Sequence, residues 1–377
     1  MLKIATLKEV KPFEKRVALT PQVIKTLVAA GFSCSIESDA GLQAGFLNDT
    51  YIAAGGSIIN DRAQLIKDSD VILAVQSPVV DDIKNLKVGA SLISLIYAHN
   101  NPELLEAFTN AKINVYALDA VPRISKAQKM DVLSSQANLG GYKAVLLGAN
   151  HLGKIFPLMM TAAGTIPPAK VLIFGAGVAG LQAVATAKRL GAIVEVSDVR
   201  SETKEQVESL GGKFLMVKSE STITTEGGYA KEVSAEYLQK QKELVAKHVA
   251  DADIIITTAL VFGKKAPILI TSEMVSTMKQ GAVIIDMAVE QGGNCELSEY
   301  AKTVVKNGVT IIGEANLPSL LATNASELFA KNISSLLLHL ATKDGFKNEL
   351  EEEITIGCMI AKEGEIVHKN TLSLLKK

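Results

Sequence analysis

The first third of the chain alternates short apolar runs with stretches in which apolar residues recur at helical spacing. In the stretch 20–31, Thr20 stands in position to cap a helix, Pro21 suits its first turn and Gly31 can end it. Further helices are predicted near residues 48–54 and 102–112. The predicted strands are residues 4–9, 34–38, 71–78, 90–97 and 113–120. Strands separated by helices predict a parallel sheet covered on both faces.

A second alternation begins at residue 171. It follows a long helical pattern at 134–152 and the turn-rich segment 161–170, which indicates a boundary. The predicted strands of this region are residues 171–177, 194–198, 213–217, 253–260, 282–287 and 309–313. This succession of strands separated by helices predicts a doubly wound sheet.

The C-terminal tail carries an apolar helical pattern at 326–342 and a hairpin pattern at 355–368. It is too small to form a domain, so we expect its helix to pack on the first domain. The predicted fold is therefore α/β, with two Rossmann-like domains separated by a cleft, each a mostly parallel sheet with helices on both faces. The predicted domains are a discontinuous first domain, 1–135 with 318–377, and a second, Rossmann domain, 136–317.

Composition narrows the class of protein. A chain of 377 residues is longer than one hydrophobic core usually supports. Its composition, with 48% hydrophobic and 21% charged residues, is ordinary for a globular protein. The formal net charge of -1 gives no reason to expect a nucleic-acid partner. The longest apolar run, residues 171–187, is too short and glycine-rich for a membrane span, and no secretory signal is present. We expect a soluble chain.

The cysteines give no sign of a disulfide or a metal site. Cys34, Cys295 and Cys358 lie far apart, without CxxC spacing. This pattern is typical of small buried apolar residues in a reducing cytosol. No metal ligand set is predicted.

The segment KVLIFGAGVAG contains the pattern GxGxxG directly after a predicted strand and at the start of a predicted helix. The first glycine allows a tight turn, the second lets a pyrophosphate approach the backbone, and the third lets helix and strand pack closely. The amides and dipole at the helix N-terminus favour an anion. The predicted dinucleotide contacts at this turn are Gly175, Ala176, Gly177, Val178, Ala179 and Gly180.

The end of the next strand indicates which nucleotide binds. Asp198 follows Gly177 by 21 residues (198 − 177). A carboxylate there accepts hydrogen bonds from ribose hydroxyls and repels a 2′-phosphate, so NAD(H) is predicted over NADP(H). Arg200 complicates this prediction, because an arginine nearby can bind a 2′-phosphate instead. Val199, between them, is included in the predicted site.

Few residues offer acid–base chemistry. Of five histidines, only His99 follows a predicted strand where a site could form, and a loop or capping role explains it equally well.

The segments EKRVALTP (14–21), GAGVAGLQA, TTALVFGKKAPILIT (257–271) and IIDMAVEQGGNCE (284–296) are similar to the alanine dehydrogenase/nicotinamide nucleotide transhydrogenase family. The resemblance covers essentially the whole chain. It implies a two-domain protein with a discontinuous first domain, usually a dimer.

The chain departs from the alanine dehydrogenase branch at several positions that the resemblance identifies. The arginine that grips the amino acid in those enzymes matches Arg16. Their lysine falls on Gln76, their histidine on Tyr97, and an acidic catalytic position on Glu290 in place of aspartate. Without the lysine and the histidine, an amino-acid dehydrogenase is disfavoured.

The polar segment VPRISKAQKMDVLSSQAN resembles the loop that defines the NAD(H)-binding component of proton-translocating transhydrogenase. The resemblance implies that Arg123, Gln128, Asp131 and Ser134, with Ile124, lie at the nicotinamide end of the cofactor. Arg123, Gln128 and Asp131 are the predicted catalytic residues. Direct hydride transfer between two nicotinamides requires orientation and exclusion of water, and no general base. A polar loop with a helix cap remains the alternative.

The segment 225–241 has two glycines followed by a tyrosine, which is typical of a hinged loop. It resembles the mobile loop of the transhydrogenase component. The resemblance assigns contacts to Gly228, Tyr229 and Gln241, although a surface tyrosine in a variable insertion is the alternative for Tyr229. Leu260 is added because it lies where a strand ends at the ligand-binding edge of the sheet.

The resemblance implies the NAD(H)-binding alpha component of a Re/Si-specific, proton-translocating NAD(P)+ transhydrogenase. An NADP(H)-binding subunit and a membrane proton-channel subunit would be its partners, and it would be a cytoplasmic homodimer attached peripherally to the inner membrane. Two alternatives stay open: an alanine dehydrogenase-like enzyme, and a non-catalytic NAD(H)-binding regulator.

Overall fold

The computed structural model describes residues 1–216, 235–260, 265–347 and 351–375. Contacts within the chain divide it into two compact units. Unit 1 comprises Met1–Gln136 and Pro318–Lys377, and unit 2 comprises Ala137–Leu317.

The first segment of unit 1 alternates strands and helices. Its strands are β1 (Lys3–Thr6), β2 (Ser33–Glu37), β3 (Ser57–Ile59), β4 (Val71–Gln76), β5 (Ser91–Leu95) and β6 (Asn114–Ala117). Its helices are α1 (Pro21–Ala29), α2 (Asn48–Ala53), α3 (Arg62–Asp68), α4 (Val80–Lys84) and α5 (Pro102–Ala111). Helix α6 (Val132–His151) begins in unit 1 and ends in unit 2.

Unit 2 follows the same alternation. Its strands are β7 (Met159–Thr161), β8 (Gly164–Ile166), β9 (Lys170–Phe174), β10 (Ile193–Ser197), β11 (Lys213–Phe214), β12 (Ile254–Thr257), β13 (Val283–Asp286), β14 (Lys302–Lys306) and β15 (Val309–Gly313). Its further helices are α7 (Val178–Arg189), α8 (Lys204–Ser209), α9 (Ala235–Asp251) and α10 (Ser272–Thr277).

The C-terminal segment returns to unit 1. It contains α11 (Ala322–Leu340), β16 (Ala341–Thr342), β17 (Gly345–Phe346), α12 (Glu353–Cys358), β18 (Met359–Lys362), β19 (Glu365–Ile366) and α13 (Lys369–Leu375).

Among the described residues, eight strands of unit 1 form one sheet in the order β19-β18-β6-β5-β4-β1-β2-β3. The six strands of the first segment are parallel, while β18 joins β6 antiparallel. Successive residues of β4 enter opposite cores, with Val71 and Leu73 on one face and Ile72 and Ala74 on the other. This period of two, with both faces buried, explains why the strand is apolar from residue 71 to residue 75.

Within the described ranges, the main sheet of unit 2 has seven strands in the order β11-β10-β9-β12-β13-β15-β14. All pairs are parallel except β14 with β15. The chain reverses its direction of travel across this sheet between β9 and β12, where doubly wound folds bind ligands. The predicted α/β fold class is confirmed.

The structure differs from the sequence predictions in several elements. Strand β3, the hairpin of β7 and β8, and strand β14 were not predicted. The predicted hairpin at 355–368 begins late, because its first residues form α12. Glu352 caps that helix, and its carboxylate accepts the backbone N–H groups of Ile354 (2.9 Å) and Thr355 (3.0 Å).

All three cysteines are buried, as predicted. Every helix in the described ranges is too short or insufficiently apolar to cross a bilayer.

Candidate functional site: a glycine turn in unit 2 and a polar segment in unit 1

The glycine pattern of unit 2 forms the turn between β9 and α7. Gly175 has a φ of 98°, and a Cβ there would lie 2.4 Å from the Thr258 hydroxyl oxygen. A Cβ at Gly180 would lie 1.8 Å from the carbonyl oxygen of Gly175, so helix and strand approach too closely for any side chain. At Gly177, by contrast, a Cβ would meet no described atom within 4 Å. The turn therefore has no room for a side chain at Gly175 or Gly180, whereas the space in front of Gly177 is open.

Helix α7 presents its N-terminus at this turn. Gly177 is its N-cap, and the first hydrogen bond of the helix runs from the Leu181 amide to the Gly177 carbonyl (2.8 Å). The amides of Val178, Ala179 and Gly180 precede that bond, so as helix-start amides they have no partner one turn back. The opening in front of Gly177 thus faces amide donors at the positive end of a helix dipole, which is an anion-binding arrangement.

Asp198 lies just beyond β10, beside the glycine turn. Its Oδ2 accepts the Ala176 amide (2.6 Å) and Nη2 of Arg200 (3.0 Å). Its Oδ1 accepts the backbone N–H (2.8 Å) and Nε (3.1 Å) of Arg200. Burial opposes ionisation, but hydrogen bonds from Arg200 and Ala176 outweigh it and lower the pKa of the Asp198 carboxyl. Asp198 is therefore ionised and fixed against the turn. Arg200 is half exposed and bound to Asp198, and Val199 is fully exposed.

A buried carboxylate that the sequence analysis missed organises the neighbouring edge. Asp286, at the end of β13, is fully buried and accepts the amides of Asn294 and Cys295 (both 2.9 Å) and the Ser298 hydroxyl (2.7 Å). Asn294 then accepts the Ala259 amide (3.0 Å) and donates to the Ala259 carbonyl (2.9 Å). This pair of residues holds Ala259, which lies just after β12, in place. The only sequence signal is the polar run after the apolar strand.

The predicted contacts beyond β12 are only partly described. Leu260 ends the described segment and is 52% exposed, so its side chain lies at the surface of unit 2. Gln241 lies in α9 and is half buried. Gly228 and Tyr229 lie outside the described residues.

The polar segment of unit 1 is anchored by apolar side chains that it buries in the core of that unit. Residues Ser125–Met130 form a 3₁₀ helix, and its Ala127 and Met130 are buried in the core that contains Phe329 of α11. The partly buried Ile124 packs against the same core. The apolar side chains of the segment thus point inward and leave its polar side chains outward.

Arg123 and Gln128 are exposed on this segment. Among the described residues, neither side chain makes a hydrogen bond or an ion pair. Two polar groups, one a cation, are therefore available to a ligand on a backbone that is held in place. Unit 1 brings them together with Asp131 and Ser134 in one short stretch, whereas the glycine turn and Asp198 belong to unit 2.

Asp131 caps helix α6. Its Oδ1 accepts the Ser134 amide (2.9 Å), and its Oδ2 accepts the Ser134 hydroxyl (2.6 Å). Both residues are half buried. The capping role considered from the sequence is real, so any ligand contact by Asp131 would use the remaining acceptor capacity of its oxygens.

Arg16 is buried and bound within unit 1. Its Nε and Nη2 donate to the Glu14 carboxylate (2.7 and 2.6 Å), and its Nη1 donates to Gln136 Oε1 (2.9 Å). Gln76 donates to Glu14 as well (3.0 Å). Burial opposes ionisation of Glu14, but Arg16 outweighs it and lowers the pKa of Glu14 to about 2. The guanidinium is thus neutralised by a carboxylate of the chain itself.

The other positions compared with alanine dehydrogenases also have structural partners. The backbone amide of Tyr97 donates to Asp119 (3.1 Å), and its ring meets that of His99 edge-on at 6.5 Å between centroids. In unit 2, Glu290 accepts the amide of Asn316 (3.0 Å). The His99 ring therefore packs beside an aromatic ring of unit 1.

Two family models match the chain. The N-terminal domain of the alanine dehydrogenase/PNT family matches residues 5–140, and the C-terminal domain matches residues 144–369. An NAD(P) transhydrogenase subunit alpha protein of Rhodospirillum rubrum is 52% identical over 376 residues, covering 97% of this chain and 98% of that protein.

Solved structures give the same result. A transhydrogenase from Sinorhizobium meliloti superposes with a TM-score of 0.89 and 42% identity, covering 97% of this chain and all of that one. An L-alanine dehydrogenase superposes with a TM-score of 0.84 and 25% identity, covering all of this chain and 99% of that one. The chain belongs to the alanine dehydrogenase/PNT family, and within it resembles transhydrogenase alpha subunits more closely than this alanine dehydrogenase.

Proposed function

We propose that this chain is the NAD(H)-binding component of a proton-translocating, Re/Si-specific transhydrogenase. It would transfer hydride directly between NADH bound here and NADP+ bound on a partner subunit. The observation that carries the proposal is the contrast within unit 1. Within the described ranges, the exposed Arg123 and Gln128 side chains make no hydrogen bond or ion pair and stand on an anchored backbone. Arg16, the expected grip for an amino acid, is instead bound by Glu14.

The glycine turn supports binding of NAD(H). The pyrophosphate would lie in front of Gly177, on the amides at the start of α7. The ionised Asp198 beside it would accept the ribose hydroxyls and disfavour a 2′-phosphate. Because Arg200 is paired with Asp198, its charge is partly neutralised, which supports the choice of NAD(H) over NADP(H).

The polar segment would orient the nicotinamide end. Gln128 has both a donor and an acceptor for the carboxamide, Arg123 offers a cation to a phosphate, and Asp131 and Ser134 offer oxygens. Hydride transfer moves one hydrogen with its electron pair from C4 of NADH to C4 of NADP+. No proton is exchanged at either carbon, so the step requires alignment and a dry site in place of a base.

The proposal includes partners. An NADP(H)-binding subunit would supply the second nicotinamide, and a membrane subunit would conduct protons. The chain would act as a homodimer on the cytoplasmic side of the inner membrane, attached through those subunits. The name of the Rhodospirillum relative is that of a subunit, which supports such an assembly.

One assay separates this function from the alternatives. The chain is incubated with NADH, first with pyruvate and ammonia, and then with an NADP(H)-binding transhydrogenase component and NADP+. We expect NADH oxidation only in the second mixture. Oxidation in the first would identify an amino-acid dehydrogenase. NADH binding without oxidation in either mixture would favour a regulator.

A further inference from the structure

We propose that Asn332 of α11 is a positioning residue that sets the geometry of the polar segment. Its Nδ2 donates to the Lys129 carbonyl (2.8 Å), and its Oδ1 accepts the Ser135 hydroxyl (2.7 Å). These contacts join residues about two hundred positions apart in sequence, with separations of 203 and 197. The inference rests on the proposed function for its catalytic consequence, but the contact itself does not.

The two contacts bracket the proposed site. Lys129 directly follows Gln128, and Ser135 directly follows Ser134. Asp131 lies between them. A single side chain therefore ties both ends of a stretch that carries Asp131 and Ser134 and that directly follows Gln128.

The 3₁₀ helix of the polar segment needs such a contact, because its hydrogen-bond geometry is poorer than that of an α-helix and it is held weakly by itself. Ala127 and Met130 anchor the segment through apolar packing, which is not directional. A hydrogen bond to the Lys129 carbonyl is directional, so it fixes how the segment is rotated about its axis and where Gln128 points.

Asn332 has no evident alternative reason to be polar. It is only 8% exposed, in a helix whose buried neighbours are mostly apolar. Its amide nitrogen and oxygen are both used in these two contacts. A leucine of similar size would suit the core of α11 better, so the polar side chain is explained by what it holds.

The two contacts of Asn332, which we call the clamp, are tested with two variants. Asn332→Leu removes both contacts, and Ser135→Ala removes one of them together with the bond of that hydroxyl to the Val132 carbonyl. Ser334→Ala is the matched control, because Ser334 is equally buried on the same helix and its hydroxyl, among the described residues, bonds to the Lys331 carbonyl of that helix. Hydrogen exchange of the Ala127 and Asp131 amides is measured in the free chain. We expect about tenfold faster exchange in Asn332→Leu, a smaller change in Ser135→Ala and none in the control.

A second measurement addresses function. Hydride transfer to a partner-bound NADP+ should fall about tenfold or more in Asn332→Leu, since displacement of a reacting group by about 1 Å can cost about a hundredfold. Affinity for ADP-ribose, which lacks nicotinamide, should change less than about twofold. Loss of transfer and ADP-ribose affinity together, with equal acceleration of exchange throughout unit 1, would mean general destabilisation and overturn the clamp.

The two proposals fail separately. Unchanged exchange at Ala127 and Asp131 in Asn332→Leu would overturn the clamp even if the wild-type chain transfers hydride. If the wild-type chain transfers none, the proposed function fails, and the exchange rates still decide whether Asn332 holds the segment.

Discussion

Arg16 and Glu14 form a buried, two-point ion pair, in which Nε and Nη2 donate to the two oxygens of one carboxylate. Gln136 and Gln76 complete the hydrogen bonding of the pair. The pair neutralises the Arg16 charge inside unit 1, at the position that the resemblance to alanine dehydrogenases aligns with an amino-acid-binding arginine.

Removing the Glu14 charge from this ion pair should destabilise the folded chain. Glu14→Gln removes the carboxylate that is hydrogen-bonded to the buried Arg16 guanidinium, and breaking a buried pair from one side costs about 3–5 kcal/mol of unfolding free energy. Urea unfolding of the variant measures the loss. Lys84→Ala, which removes an exposed ion pair with Asp81, is the control and should leave the unfolding free energy nearly unchanged. An equal effect of the two substitutions would contradict the account of a buried pair.

Glu9 should make stability fall as pH rises. Burial, and then the negative charge of Glu14, raises the pKa of Glu9 to about 8 from its ordinary 4.5. Between these values the folded chain binds more protons than the unfolded chain, so the free energy of unfolding decreases with increasing pH. Glu9→Gln should flatten the dependence of Tm on pH between about 5 and 8. An unchanged slope would contradict the raised pKa.

The glycines of the turn should differ in their response to alanine. Gly180→Ala places a Cβ 1.8 Å from the Gly175 carbonyl oxygen and should lower Tm and abolish NADH binding together. Gly177→Ala has room for the methyl group, so Tm should be retained while the pyrophosphate loses its approach. We expect NADH affinity of this variant to fall about tenfold or more. Unimpaired NADH binding by Gly177→Ala would contradict the proposed pyrophosphate position.

Asp198 should determine the choice of nucleotide. Asp198→Asn retains an acceptor for the Ala176 amide but removes the charge. The ratio of NADPH to NADH affinity should rise about tenfold or more, because repulsion of the 2′-phosphate ends and Arg200 is released. Fluorescence titration with each nucleotide measures the ratio, with Glu195→Gln in the preceding strand β10 as a control. An unchanged ratio would remove Asp198 from the nucleotide site.

Local patterns account for much of the fold. The β9–turn–α7 geometry follows from the spacing of Gly175, Gly177 and Gly180, and both parallel sheets follow from the alternation of strands and helices. The missed strand β14 had a signal as well. Asn307 and Gly308 (φ of 53° and 77°) form the two-residue turn to β15, and an Asn-Gly pair is a strong hairpin indicator.

Long-range contacts could not be predicted in the same way. The sequence places Asp286 and Asn294 eight residues apart, but only the fold shows that Asn294 holds Ala259, just after β12. Likewise, Asn332 resembles any polar residue in an amphipathic helix, and its contact with Lys129 depends on how α11 packs. Glu352 was missed because glutamate is an unusual N-cap.

The most direct test of the central claim follows deuterium from C4 of NADH to NADP+ on a partner component. Asp131→Asn retains the cap on α6, because an asparagine oxygen can accept the Ser134 amide, and Gln128→Ala leaves the fold untouched. Lys126→Ala, on the same 3₁₀ helix, is the control. We predict stereospecific transfer by the wild type and the control, and a loss of about a hundredfold in Gln128→Ala and Asp131→Asn with Tm retained. Transfer at the wild-type rate in both variants, or none by the folded wild-type chain, would contradict the account.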